Sequence, residues 1–438
     1  MRAGRILMLV LALSPATGRA NVFEQFGFEP RGVAMGGAQT ASGDGHVASY
    51  FNPSMLPLGK EFSFGLGMSW AQPVADVHAQ AINDQAGFKA SPAPPTFGGI
   101  TLGVVFPFGG KLDNHLALGV ALYAPTSTVI RSQAYSPEIP SWYFYGSKPD
   151  RLALSVGLGL RIPYLDWLYI GGGVNVLGAF LGGFDFKVNL FNKEFEKRQL
   201  DNSLALKAAP SAGLTLDFAN IGLRIAFSYR GELDLHYDMP TTFEIADVGT
   251  LDLQMRGHVH YTPHIMSLGL RWAIGPVTTS AELRYALWSR APDPGVQVSM
   301  TMDSEIATAL GVEGRFDAMS QEVSPGFSDT LEPHVGIEWY IVPRFAARLG
   351  YFFRPTPVPK QNGDTNILDG DTHSFSAGLG FNFNDPLEVF AKPVHIDLAY
   401  QFMWIPERRA DKNAASAVPS YVYSAYVHNV TAAVTYAF

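Results

Sequence analysis

Three arginines stand on the polar faces of alternating segments and are the side chains best suited to bind an anion: Arg224, Arg284 and Arg348. A guanidinium group presents a planar fork of N–H donors that matches the two oxygens of a carboxylate. The sequence therefore offers these arginines as a clamp for a carboxylate-bearing ligand. The alternative is a structural charge network with the acidic residues that alternate in the same way, which are Glu282, Glu338 and Asp397.

Two aromatic-rich stretches between predicted strands are candidates for an apolar ligand groove. The stretch after the fifth predicted strand carries Phe180, Phe184, Phe186, Leu190, Phe191 and Phe195. The stretch after the third strand contributes Trp142 and Phe144. Exposed aromatics at this density are typical of a binding surface. Contact with lipopolysaccharide or loop packing is the alternative for the first stretch, and an aromatic girdle at the membrane surface for the second.

The sequence offers no clear set of residues for a catalytic site or a metal site. Cysteine is absent, which excludes thiol nucleophiles and cysteine metal sites. An outer-membrane lipase would need Ser, His and an acid on one face, but His373 and His428 fall on the predicted lipid face without a Ser partner. Asp364, Asp369 and Asp371 lack the spacing of a calcium loop, so a solvated turn is expected. We therefore predict no enzyme, no cofactor and no metal site.

The elements that must hold these side chains are strands. After residue 60, large apolar residues alternate with small or polar ones in fourteen segments, such as FSFGLGMSW at 62–70. One face carries aromatics at the strand ends, and the other carries glycine, serine and scattered charge. This pattern predicts an all-β fold, a 14-stranded antiparallel transmembrane β-barrel with a polar lumen. The sixth strand contains Pro210, where we expect a bulge.

The connections between the predicted strands alternate in length. The short ones are 108–114, 163–167, 219–220, 273–276, 342–343 and 384–393. The long ones are 71–97, 124–150, 180–203, 231–250, 289–331, 354–370 and 405–424. Short periplasmic turns and long external loops are characteristic of bacterial outer-membrane barrels. The terminal Phe438 resembles the C-terminal signal that the barrel assembly machinery reads.

Composition supports this localisation. Only 16% of the residues are charged, against about 25% in soluble proteins, yet no run of about 18 apolar residues could form a membrane helix. The net charge of −8, without a Lys/Arg run, argues against a nucleic-acid partner. Residues 1–20 are predicted to be a secretory signal, because two arginines precede an apolar run and small residues precede a cleavage site.

Residues 21–59 do not follow the strand alternation. Within them, 27–59 is rich in glycine and carries the turn Asn52-Pro53-Ser54. Such a segment cannot form a core of its own, and irregular backbone is tolerated at membrane depth only when protein or water surrounds it. We therefore predict a signal peptide at 1–20, a hatch (plug) at 21–59 in the lumen and the barrel at 60–438. The Asn52 turn is expected to set how the hatch meets the third strand.

The hatch residues also resemble a known family. RGVAMGGA at 31–38, Asp44 and YFNPS at 50–54 are similar to the hatch of the FadL-type outer-membrane transporters, with Ser54 in place of the usual Ala. Barrel segments within 210–230, 262–270 and 348–373 add similar motifs in the same order. The resemblance covers nearly the whole mature chain.

The resemblance implies passive uptake of hydrophobic molecules, such as long-chain fatty acids. Extracellular loops would capture the ligand, a lumen pocket would hold it, and it would leave sideways through the wall at a kinked third strand. The family also implies a monomer surrounded by outer-membrane lipid and lipopolysaccharide. If no lumen arginine binds ligand, an uncharged or aromatic hydrocarbon becomes the better substrate. A general diffusion porin, with a water-filled lumen, is the alternative function.

Overall fold

The computed structural model describes residues 26–80, 88–90, 93–126, 138–142, 144, 151–189, 194–245, 249–292, 296–303, 314–316, 325–384, 392–414 and 416–438. The predicted signal peptide lies outside these residues. Within them, eighteen strands form one continuous sheet. The strands are β1 Ser63–Ala79, β2 Phe97–Pro107, β3 Leu116–Pro125, β4 Ala153–Arg161, β5 Leu168–Asn189, β6 Glu194–Phe218, β7 Leu223–Arg230, β8 Leu233–Ile245, β9 Gly249–Thr262, β10 Ile265–Ile274, β11 Val277–Ala286, β12 Val296–Asp303, β13 Gly314–Phe316, β14 Thr330–Val342, β15 Phe345–Arg354, β16 Thr372–Phe383, β17 Val394–Ala410 and β18 Tyr421–Ala437.

Fourteen of the described strands close a barrel, which confirms the predicted fold class. Around the barrel the order is β1 to β7, then β10, β11 and β14 to β18, and β18 pairs antiparallel with β1. The remaining strands, β8, β9, β12 and β13, extend from the long connections at one end. At that end, Thr241–Ile245 of β8 pair in parallel with Phe184–Val188 of β5. The same part of β5 also pairs with β6, so β6 and β8 lie on its two edges, and β8 in turn pairs with β9.

The two faces of the strands have the predicted chemistry. In β1, Leu66, Met68 and Trp70 are exposed on the outside, whereas Gly65 and Gly67 are buried inside. Alternate residues point to opposite faces of a strand, so the apolar set forms an outer belt against lipid. No helix among the described residues is long and apolar enough to cross a membrane.

Two expectations about the strands are corrected. No bulge occurs at Pro210, which pairs in register with Val174 of β5. Its other edge receives only the Gly231 N–H on its carbonyl, 2.8 Å away, just where β7 has ended. Proline has no N–H to donate, and on this edge no strand continues that would need one. The resemblance also implies a kink in the third strand. No register shift marks one, because β3 pairs continuously with both neighbours, and the kink stays a prediction.

The second correction concerns the connections at 180–203 and 231–250. Most of the first is strand, since β5 and β6 pair up to Asn189 and Glu194. The second contains β8 and the beginning of β9. The strands on this end of the barrel thus continue far beyond the segment needed to cross a bilayer, which takes about 9–11 residues.

The hatch occupies the lumen as short helical turns. Helix α1 spans Pro30–Ala34 and α2 spans Ala48–Phe51, and 3₁₀ turns follow Asp44 and Asn52. Proline is favourable at the first helical position, because its N–H would have no partner there. Gly36 and Gly37 then adopt φ of 63° and 74°, a left-handed conformation in which the helix cannot continue.

Candidate functional site

The hatch backbone is bound to the barrel wall by an ion pair on β11. One oxygen of Glu282 accepts the N–H groups of Gln39 and Thr40, each at 2.8 Å. Its other oxygen lies 3.0 Å from Arg284 Nη2, which also donates to the Gly37 carbonyl at 3.4 Å. The pair therefore satisfies donors and acceptors that an irregular backbone would otherwise leave unpaired in the lumen.

Two further hatch carbonyls receive donors from neighbouring strands. His334 Nδ1, on β14, lies 2.7 Å from the Gly36 carbonyl, so this nitrogen carries the proton. Ser376 Oγ, on β16, donates to the Ala34 carbonyl at 3.2 Å. At these positions the wall between β11 and β16 binds the hatch through its backbone carbonyls.

A buried charge network fixes α1 to the same side of the wall. Arg31 donates Nε and Nη2 to the two oxygens of Glu338, both at 2.9 Å. Arg348 donates Nε to Glu338 at 2.7 Å and pairs with Asp397. Arg31 Nη1 also reaches Asp44, 2.9 Å away in the hatch. Bidentate pairs of this kind fix orientation as well as charge.

The three arginines predicted as a carboxylate clamp all point into the lumen, and each already contacts an acid. Arg224 lies 3.2 Å from Asp217, while Arg284 and Arg348 take part in the pairs just described. The charge network that the sequence left as the alternative is therefore present. A ligand carboxylate would have to displace a carboxylate of the protein, and the clamp stays a prediction.

The Asn52-Pro53-Ser54 turn joins two parts of the hatch to β6. Asn52 is fully buried, and its Nδ2 donates to the Thr40 carbonyl at 2.8 Å and to Thr215 Oγ1 at 3.1 Å. Its Oδ1 accepts the Ser54 N–H at 3.2 Å and the Ser54 hydroxyl at 2.6 Å. Ser54 in turn bonds Thr215 at 2.7 Å. The hydroxyl of Ser54, where the family usually has Ala, is fully used.

Glycines on the inner wall let this turn approach the strands. A Cβ at Gly171, on β5, would lie 2.3 Å from Ser54 N, and one at Gly213, on β6, would lie 1.9 Å from Asn52 Oδ1. Neither distance is compatible with a side chain. At these glycines no side chain separates the second half of the hatch from the backbone of the wall.

A large apolar cluster fills the lumen between the hatch and the long connections. We use the name apolar chamber for this packed cluster of side chains itself, and its main aromatic members are Phe26, Phe28, Tyr50, Phe51, Phe97, Tyr123, Trp142, Phe144, Phe327, Phe352, Tyr421 and Tyr423. Trp142 packs 5.9 Å from Tyr423, and Phe144 packs 5.0 Å from Trp288. Both side chains are 5% exposed or less, so they face this interior rather than an outer girdle.

The other predicted groove residues are placed only by their backbone. Phe180, Phe184 and Phe186 lie on β5 and Phe195 lies on β6, while Leu190 and Phe191 lie outside the described residues. The alternation of Phe184 and Phe186 around an aspartate is a strand signal that the loop assignment overlooked. Their contact with ligand stays a prediction.

The electrostatics change sharply on the opposite side of the hatch. An open cavity of ≈ 580 Å³ lies at the end with the short turns, and charged side chains dominate its lining. On the hatch surface beside it, burial lowers the pKa of His46 to about 4. Burial raises the pKa of Glu29 to about 8, and the carboxylates of Asp397 and Asp44 add to this rise.

The acidic loop also differs from its prediction. Asp369 is buried, not solvated, and accepts from the Thr356 hydroxyl at 2.5 Å. Asp371 is exposed and accepts the Thr356 N–H at 2.9 Å. Across the part of the chain that the structure describes, no group of three or more His, Cys, Asp or Glu residues could hold a metal ion.

Comparison with known proteins gives this arrangement a family. The sequence pattern of the family described as "Outer membrane protein transport protein (OMPP1/FadL/TodX)" matches residues 10–438. The chain belongs to the OMPP1/FadL/TodX family. It is thus an outer-membrane barrel of a family that transports hydrophobic compounds, as the hatch motifs suggested.

Relatives of known name share the architecture. Alkane uptake protein A of Marinobacter nauticus is 23% identical over 410 residues, which cover 91% of this chain and 87% of the relative. The crystal structure of a Pseudomonas aeruginosa FadL homologue has a TM-score of 0.61 at 15% identity, with 97% of this chain and 99% of that one covered. The toluene transporter TodX of P. putida has a TM-score of 0.56 at 15% identity, covering 93% and 97%. At these identities the structural likeness shows the fold.

The sequence missed several residues that hold the hatch. Thr215 and His334 contact it from the wall, and His46 packs from the hatch against Gly65 and Gly103. Each is a single polar residue on a glycine-rich or alternating face. Such a residue gives no local signal, because its partner lies far away along the chain. Arg31 was noticed only as part of a motif, and its wall partner Glu338 is separated from it by 307 positions.

Proposed function

We propose that the protein mediates passive uptake of uncharged hydrophobic molecules, such as alkanes or monoaromatic hydrocarbons, across the outer membrane. The observation that carries this proposal is the contrast inside the lumen. Above the hatch lies the apolar chamber, and all three candidate clamp arginines are already paired with protein carboxylates. An apolar solute gains free energy in such a chamber, about 25 cal/mol per Å² of surface removed from water. The names of the alkane and toluene relatives support the same substrate class.

The proposed route enters from the long connections and stops at the hatch. A hydrocarbon would lose its favourable environment in the charged cavity below, so a sideways exit into lipid is the favourable path. This exit would cross the thin, glycine-lined wall beside the second half of the hatch. Because β3 pairs continuously with β2 and β4, opening there requires a local separation of strands. We propose no catalytic step, and a lipase is not supported by any arrangement described above.

Two partners complete the proposal. Outer-membrane lipid and lipopolysaccharide surround the apolar belt, with the protein as a monomer. Phe438, whose ring packs 5.2 Å from Phe62, is proposed as the residue that the barrel assembly machinery recognises. Long-chain fatty acid remains the second candidate substrate, because the family resemblance implies it and its alkyl chain suits the same chamber.

The first test compares ligands that differ only in charge. Purified, refolded protein is titrated with toluene, a long-chain fatty acid and the methyl ester of that acid. We expect saturable binding of toluene and ester, and an affinity for the free acid no greater than for the ester. A free acid that binds tenfold or more tightly than its ester would overturn the uncharged substrate class and support an arginine clamp.

Matched variants then locate the binding site. Phe144→Ala removes a chamber aromatic, whereas Phe375→Ala removes one of similar size from the lipid-facing side. We expect toluene binding to weaken about 10- to 150-fold in the first variant and to be unchanged in the second, since burying an aromatic ring is worth about 1.5–3 kcal/mol. Equal binding by both variants would place the ligand elsewhere.

A further inference from the structure

The cavity below the hatch is a second chamber of opposite character to the first. It is lined by α1, by the turn at Asp44 and by the short-turn ends of the surrounding strands. In outer-membrane barrels this end faces the periplasm. Its volume of ≈ 580 Å³ is large enough for a small solute. Hydrocarbon transport gives no role to a charged chamber in this position.

Most charges in this chamber neutralise one another. Arg31 and Arg348 share Glu338, and they also contact Asp44 and Asp397 respectively. These five side chains form one connected network of two arginines and three carboxylates, so it has a net charge of −1 and needs no additional anion.

The other acidic and lysine side chains of the lining are paired, exposed at the rim of the cavity or protonated. Glu61 pairs with Lys392 where both are half-exposed, and Lys60 is exposed. Glu29 retains its proton at neutral pH because burial raises its pKa to about 8. The remaining charged groups of the lining, apart from the histidines, are two arginines.

Arg224 and Arg271 stand directly opposite each other on β7 and β10. Both side chains line the cavity. Like charges in opposed positions on neighbouring strands destabilise a sheet. Asp217 lies 3.2 Å from Arg224, and Arg224 also donates to the Ala41 carbonyl at 3.4 Å. In the described ranges, no carboxylate lies within ion-pair distance of Arg271.

We propose that Arg271, with Arg224 beside it, forms a binding site for a small oxyanion, a carboxylate or a phosphate, that enters from the periplasmic side. Asp217 pairs with Arg224, so Arg271 is left without a directly paired carboxylate in the described ranges, and a bound oxyanion would supply one. Arg271 lines this open cavity, and the planar fork of N–H donors of a guanidinium group suits an oxyanion. The site is separated from the apolar chamber by the whole hatch.

Direct titration tests the site in the full-length protein. Inorganic phosphate and octanoate are titrated into protein in neutral detergent at low ionic strength, with octanol as the uncharged control, and binding is followed by calorimetry. The test variant is Arg271→Gln. The control variant is Arg344→Gln, which removes an exposed arginine from the turn between β14 and β15 at the same end of the barrel.

We expect saturable anion binding to the native protein and to the Arg344 variant, and at least tenfold weaker binding to the Arg271 variant. Arg271→Lys, which keeps the charge without the fork, is expected to restore part of the loss. Tighter binding of phosphate would identify a free inorganic anion as the ligand, and tighter binding of octanoate would identify the headgroup of an anionic amphiphile. Equal anion binding by native protein and Arg271→Gln, or no saturable binding to native protein, would overturn the proposal.

Toluene binding separates this test from the proposed transport function. It should be the same in Arg271→Gln and native protein, because the apolar chamber lies across the hatch. Normal toluene binding in this variant also demonstrates that it has folded. Loss of toluene binding in the native protein would instead contradict the transport proposal and leave the anion result valid on its own.

Discussion

The side chain of Asn52 makes four hydrogen bonds that join the two halves of the hatch to the wall. Its amide bonds Thr40 of the first half of the hatch, Ser54 of the second half and Thr215 of the wall. A carboxamide can donate and accept at once, so no hydroxyl or carboxylate could replace all of these bonds. This explains why an Asn-Pro turn is needed at the point where the hatch turns back along β6.

Replacing Asn52 should loosen the hatch without unfolding the barrel. Asn52→Ala leaves the Thr40 carbonyl and the Thr215 hydroxyl without these partners, which costs ~2–4 kcal/mol of hatch docking free energy. Hydrogen exchange of amides 39–55 should accelerate, while exchange in the strands and the far-UV circular dichroism stay the same. Asn382→Ala, which removes a half-buried asparagine at the mouth of the lumen, is the control. Unchanged exchange in the hatch would refute the anchoring role.

The ionisation of Glu29 predicts a pH dependence of the hatch. Its pKa of about 8 when docked exceeds the ordinary value of 4.5, so its contribution is fully present below pH 4.5 and is lost as pH rises through 8. Docking should weaken by up to ~1.4 kcal/mol per pH unit in that window. His46, whose pKa is lowered to about 4, stays neutral above pH 6.5 and adds no slope there.

Limited proteolysis of the hatch from pH 6 to pH 9 measures this effect. The cleavage rate, corrected for protease activity on an unfolded peptide, should rise with pH in native protein. In Glu29→Gln the corrected rate should be flat. A slope that persists in this variant would assign the pH dependence to another group.

Among the strands, β4 and β5 present glycines to the hatch turn at Pro53. The hatch turn at Pro53 packs on Gly157, Gly159 and Gly171 with backbone-to-backbone contact. By contrast, the strands from β11 to β16 meet the hatch with ionic and polar side chains. One side of the wall therefore binds the hatch by specific bonds, and the other accommodates it by shape.

A methyl group on the shape-matched side should displace the hatch. The Cβ of Gly171→Ala would lie 2.3 Å from Ser54 N and 2.4 Å from the Pro53 carbonyl carbon, and backbone atoms can yield only if the turn moves. We expect a cost of about 1–3 kcal/mol, seen as a lower temperature for loss of the folded form on electrophoresis. Gly109→Ala, where no atom lies within 4 Å of the added methyl, should behave like native protein.

For the whole barrel, the hatch closes the lumen between two chambers of opposite polarity. Residues 26–59 are mostly buried within the strands. An open barrel of this strand number would carry a continuous aqueous path. The arrangement thus favours a transporter for single apolar molecules over a general diffusion porin.

Ion conductance discriminates these two functions. In planar bilayers the native protein should conduct far less than an open porin with the same number of strands. Asn52→Ala and Gly171→Ala, which loosen the hatch, should show more frequent openings, whereas Gly109→Ala should not. A large and steady conductance in native protein would contradict the closed lumen and restore the porin.

The sequence by itself determined the barrel, its strand number and its inner and outer faces. The alternation of apolar and polar residues is local, with a period of two residues, so the inner and outer faces of each strand can be assigned from its own sequence. The hatch was recognisable because this alternation is absent between residues 27 and 59, where glycines and the Asn-Pro turn interrupt it. Element ends were less accurate, as β5 and β6 show, because a strand beyond the membrane need not alternate strictly.

Only the tertiary structure decided how the polar residues are used. Arg31 and Glu338, or Asn52 and Thr215, are far apart in sequence and meet because the barrel closes around the hatch. Burial then makes each unpaired donor or charge costly, so the arginines that looked free in the sequence became paired, and Arg271 was left facing a cavity. Pairing across such distances depends on closure and register, which no local pattern encodes.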